Sequence, residues 1–156
     1  MNNDPIQQNQ PGIFGKAPGN SPTGFTEFQE LVFKDLFLRL QMAVHQNSIN
    51  KGWWEQRDAA LALLKANGFG EFGENLIKGQ CILLEHTELS EAVEGMRQNL
   101  QDDKCPDFPM EVVEHADVFI RMLDLAEKYK WDLIGAILAK MRMNAGRPIR
   151  HGGKAF

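Results

Sequence analysis

Residues 75–100 read NLIKGQCILLEHTELSEAVEGMRQNL. Ile77, Cys81, Leu84 and Ala92 recur at helical spacing, which predicts one long amphipathic helix from about Asn75 to Leu100. Downstream, QDDKCPDFPM (101–110) is a connection full of turn residues. Asp107 is placed to cap, and Pro109 to occupy the first turn of, a helix running to about Tyr129, with Val113, Ala116, Ile120 and Leu123 as its stripe. Upstream, EQRDAALALLKANG (55–68) predicts a short helix ended by Gly68. A first helix is expected after Thr26, an N-cap with Gln29 at the capping-box position, and Val32, Leu36, Leu40 and Val44 recur along it. Gly52 breaks that pattern ahead of Trp53 and Trp54. A last short helix is expected from Asp132 to about Asn144, before AGRPIRHGGKAF (145–156), where Gly and Pro disfavour further helix. No stretch alternates with a β period and nothing repeats. The expected fold is all-α, a bundle of four or five helices.

The 156 residues are enough for one domain with a core. Residues 1–24 are rich in Asn, Gln, Pro, Gly and Ser, hold few large apolar side chains, and are expected to form a flexible tail. That leaves a helical domain at 25–145 and a basic segment at 146–156. Two cysteines, Cys81 and Cys105, are no disulfide framework, so a reducing cytoplasm is the expected setting. No secretory signal pattern opens the chain and no run of eighteen apolar residues crosses a membrane. A net charge of −4 and a pI near 5.6 argue against a surface made for nucleic acid. Charge is nevertheless divided along the chain. Twelve acids and three bases lie between Glu71 and Asp117; five bases and no acid lie from Leu133 to Phe156.

The acids border the apolar stripes. Glu85, Glu88 and Glu91 follow one another at spacings of three, and Glu88 is four residues from both Leu84 and Ala92. On the next helix, Asp117 lies four residues from Val113 and Glu114 four from Met110. Carboxylates against a core would destabilise it or take up protons, and a divalent cation removes the conflict. Two carboxylates from each of two helices make a hard, oxygen-only site suited to Mg²⁺ or Mn²⁺, though periodicity does not choose Glu88 and Glu91 over Glu85 and Glu88. The alternative is a pair of solvated helix shoulders. A di-iron bundle would need Glu-x-x-His pairs, but Leu83 and Val112 stand three residues before His86 and His115.

Glu88-x-x-Glu91, twenty-two residues, then Glu114-x-x-Asp117 resembles the paired acidic motif of the MazG-like all-α nucleoside triphosphate pyrophosphohydrolases, a superfamily that includes dimeric dUTPases. The surrounding ELSEAVEGMR and EHADVFIRMLDLA and the ending KMRMNAGRPIRHGGKAF are similar to those of small single-domain members. The resemblance covers about residues 26–156. It implies Glu88, Glu91, Glu114 and Asp117 as Mg²⁺ ligands and catalytic centre, with Glu85 one turn earlier as a supporting acid. It implies Lys140, Asn144 and Arg147 as triphosphate contacts, to which charge adds Arg150 and Lys154. Thr87 is a departure, because many relatives carry a further Glu directly before the first ligand.

The implied reaction is hydrolysis of (d)NTPs to nucleoside monophosphate and pyrophosphate in nucleotide-pool housecleaning. Trp53 and Trp54 are candidates for stacking on a base, against a role in the core or an interface. The resemblance also implies a homodimer or homotetramer. The rival from another class is a non-catalytic helical protein that holds a phosphorylated ligand, nucleic acid or protein partner through its basic C-terminal segment.

Overall fold

In a computed structural model that describes residues 21–148, five helices account for nearly all regular structure. They are α1 (Glu27–Asn50), α2 (Glu55–Ala66), α3 (Gly70–Gln98), α4 (Met110–Lys128) and α5 (Leu133–Ala145). No strand is present among the described residues, only an isolated bridge between Gln101 and Pro109. The described residues are therefore all-helical, as their periodicity requires. It divides into two compact units. Of the described residues, 21–36 with 134–148 belong to the first and 37–133 to the second.

In the first unit the start of α1 is fixed by reciprocal capping. The Thr26 N–H donates to Gln29 Oε1 at 2.9 Å and the Gln29 N–H to Thr26 Oγ1 at 3.1 Å, the box expected from the sequence. Glu30 accepts from the Thr23 hydroxyl at 2.6 Å and pairs with Arg142 of α5.

The second unit is built on α3, which packs against both α2 and α4. Its core joins Trp54, Leu61, Ile77 and Leu125, with Cys81 and Tyr129 against them. Two glycines bring the helices close. A Cβ on Gly73 would stand 2.7 Å from Leu64 Cδ1, and one on Gly95 would stand 2.9 Å from Met110 Cβ. The connection between α3 and α4 is tight. Asn99 turns left-handed at φ 52° to end α3, the Met110 N–H returns to the Leu100 carbonyl at 3.0 Å, and buried Asp102 accepts from the Lys104 and Cys105 N–H groups at 2.9 and 2.6 Å. This closure sets α4 in register beside α3.

Several boundaries and faces differ from expectation. α3 starts at Gly70, a full turn before Asn75, since Gly73 packs on α2 and extends the contact. Pro109 is the N-cap of α4 and does not sit inside it, and no side chain caps that end. On α1 the buried line is Phe37 and Gln41, whereas Leu36 and Leu40 are exposed. Apolar residues are spread nearly all round this helix among polar ones, so its pattern cannot choose a face, and polar partners on α4 decide. The buried Gln41 amide donates to Glu127 at 2.9 Å and His45 meets Asp124 at 2.6 Å. On α4, Ala116 and Ile120 are exposed, and Leu123, Leu125 and Ala126 carry the burial. Glu114 takes the place in the buried set that the stripe assigned to Ala116.

Candidate functional site

Glu88 and Glu91 come from the second half of α3, and Glu114 from the first half of α4. A spacing of three keeps the α3 pair on one face, and the short 99–109 connection brings Glu114 opposite. One carboxylate oxygen from each of Glu88, Glu91 and Glu114 lies within 4.8 Å of those of the other two. Glu88 and Glu114 are each only 7 % exposed, while Glu91 faces solvent. Ala92 and Gly95, both buried on α3, keep the two backbones close at this level.

Three acids this close cannot all ionise freely. Burial, a hydrogen bond with Glu88 and the charges of Glu91, Glu88 and Asp117 push the Glu114 carboxyl up to about 7. Asp117, one turn along α4, lies outside the mutually close three and is half-buried. Its acid is raised by burial first and then by Glu88, against the lowering influence of Arg121 and Lys104. Glu85 is half-buried, raised by burial, and also outside the three.

A residue unremarked in the sequence completes the group. Arg121 Nε donates to Glu88 Oε1 at 2.7 Å, and Nη2 reaches the same oxygen. Its signal was a lone cation seven residues after Glu114 and four after Asp117, hence on the same face of α4. Asp102 and Lys104 are further additions, because the connection places their charges where Asp117 feels them.

The donor set suits a hard divalent cation. All donors are carboxylate oxygens, and an ion at ~2.1 Å from each ligand spans pairs at most about 4.2 Å apart. Such an ion also offsets the burial and the acidic neighbours that raise the Glu114 carboxyl.

The remaining candidates lie elsewhere. Trp54 is 3 % exposed, and its indole N–H donates to Asp124 Oδ1 and Oδ2 at 3.0 and 3.1 Å, with Lys128 and Arg57 over the ring. Trp53 is 65 % exposed and borders an open hollow of about 360 Å³ with Lys51 and Arg57. The adjacent tryptophans therefore have opposite environments, the first open to a ligand and the second packed in the core. Lys140, Asn144 and Arg147 are exposed along α5 and just past its end, in the first unit. Lys140 and Asn144 flank a shallow hollow of about 470 Å³ formed with Ala136, Ile137 and Met141. Arg150 and Lys154 lie outside the described residues, as do residues 1–20 of the expected tail. No helix among the described residues is long and apolar enough to cross a membrane. No family model, curated protein or solved structure matches the chain.

Proposed function

We propose that this chain is a Mg²⁺-dependent nucleoside triphosphate pyrophosphohydrolase of the MazG-like kind, releasing nucleoside monophosphate and pyrophosphate. The observation that carries the proposal is the convergence of Glu88, Glu91 and Glu114 from two helices, two of the three acids being buried. Buried carboxylates that repel one another are costly unless something binds them. Mg²⁺ or Mn²⁺ is the ligand their chemistry fits, and the resemblance in the surrounding sequence supplies the substrate class.

When bound, the cation supplies charge neutralisation on the phosphates and an acidified water. The chain's own residues hold it. Glu88, Glu91 and Glu114 form the cluster, and Asp117 is the fourth acid that the resemblance adds. With its carboxyl raised to about 7, Glu114 is only partly ionised near neutral pH in the free protein, so loading the site is accompanied by proton release. Lys140, Asn144 and Arg147 are proposed to meet the triphosphate on the grounds of charge and resemblance. Trp53 is the tryptophan left open for stacking on a base.

A homo-oligomer belongs to the same proposal. Leu63, Phe72, Leu76 and Leu83, all in the second unit, are more than half exposed, apolar helix surface that a second copy would cover. The hollow beside Lys140 favours the second reading, a non-catalytic protein that docks a partner or phosphorylated ligand on α5. Calorimetry with a non-hydrolysable nucleotide separates the two. Binding that needs Mg²⁺ supports the enzyme, whereas equal binding in chelator supports the α5 site.

A further inference from the structure

We infer that Arg121 is a positioning residue for Glu88: it fixes one carboxylate oxygen so that the other is presented to the cation. The inference rests on the metal reading of the cluster. Both guanidinium contacts converge on Oε1, Nε at 2.7 Å and Nη2 beside it. In a fork-to-fork pair each nitrogen takes a different oxygen. Here both guanidinium contacts fall on one oxygen, so Oε2 is not taken up by Arg121.

Burial points the same way. The Glu88 side chain is 9 % exposed and that of Arg121 40 %, so the guanidinium stands on the solvent side of the carboxylate. Charge completes the argument. The three clustered acids, when ionised, sum with one guanidinium to −2, and a divalent cation brings the group to neutrality, so the cation and Arg121 do not compete to neutralise a single charge. Carboxylate ligands are generally oriented by such outer hydrogen bonds, whose loss costs about 10- to 100-fold in metal affinity. A lysine can donate to Oε1 but cannot fix the carboxylate plane as two nitrogens do.

The experiment measures Mn²⁺ binding to the full chain at pH 8 from the electron paramagnetic resonance signal of free Mn²⁺, in the wild type, Arg121→Gln and Arg121→Lys, with circular dichroism to monitor folding. Arg121→Gln is expected to weaken binding about 10- to 100-fold, and Arg121→Lys to recover part of the loss. Binding by Arg121→Gln as tight as or tighter than the wild type overturns the positioning role while the metal site stands. If Arg121→Gln does not fold, Arg121→Lys decides, and wild-type affinity in that variant overturns the role equally. A wild type that takes up no Mn²⁺ overturns the metal reading, and the role of Arg121 with it.

Discussion

Replacing Glu114 with Gln removes the carboxyl that burial first, and its acidic neighbours second, raise to about 7, and the consequence is readable without substrate. Glu114 has an ordinary value of 4.5 in the unfolded chain and about 7 in the folded one. The folded state therefore binds more protons between those values. Its stabilising contribution is complete below the unfolded value and is lost as pH rises through the folded one. Between pH 6 and pH 8 that loss is worth about 1 kcal/mol, or roughly 3–5 °C in melting temperature for a domain of this size. A Gln amide donates to Glu88 as the protonated acid does, at every pH. In metal-free buffer, Glu114→Gln should thus be more stable than the wild type at pH 8 by on the order of 1–2 kcal/mol. Its melting temperature should change less between pH 6 and 8 than that of the wild type. Added Mg²⁺ should stabilise the wild type and leave the variant nearly unmoved. Thermal melts at both pH values, with chelator and with Mg²⁺, make the comparison. A variant that keeps the full wild-type pH dependence, or melts lower at pH 8, would refute the coupling assigned to the cluster.

Other consequences can be checked separately. Glu88→Gln and Asp117→Asn should each lower turnover by about 100-fold or more with circular dichroism unchanged, the loss expected when a metal-binding acid is neutralised. Lys140→Ala should raise KM about tenfold or more at unchanged melting temperature, as loss of one exposed charge-assisted contact to phosphate predicts. Gly95→Ala should destabilise the fold by about 1–3 kcal/mol in urea titration, because its Cβ would stand 2.9 Å from Met110 Cβ and Cγ and 3.1 Å from the Glu111 nitrogen. Trp54→Phe should cost about 1–2 kcal/mol through loss of the indole donor to Asp124. Trp53→Ala, at an exposed position, should leave the urea midpoint almost unchanged.

What the sequence disclosed follows from which signals are local. Helix existence depends on spacing and end residues, and all five helices lie where Thr26, Gly52, Gly68, Pro109 and the closing Gly and Pro residues punctuate the chain. Helix faces depend on partners. Leu36 and Leu40 were as apolar as Phe37, and only the meeting of Gln41 and His45 with Glu127 and Asp124 decided which side went inward. For the site, the spacing of three between acids was visible, and so was their intrusion on apolar stripes. The preference for Glu88 and Glu91 over Glu85 came from resemblance, and the geometry independently gathers that pair with Glu114. Arg121 was not legible because its meaning is a contact across helices, and sequence spacing reports only neighbours along one helix. Nor could adjacent tryptophans be separated, since both precede α2 in a turn, where no helical period assigns a face.

The central claim concerns chemistry at the acid cluster, and product identity tests it most directly. The protein is incubated with a panel of (d)NTPs, with Mg²⁺ or with chelator, and its products are resolved by ion-exchange chromatography. The expected result is nucleoside monophosphate and pyrophosphate in equal amounts from at least one substrate, absent in chelator and absent in Glu88→Gln. Nucleoside diphosphate and orthophosphate, or no product from any nucleotide, would contradict it.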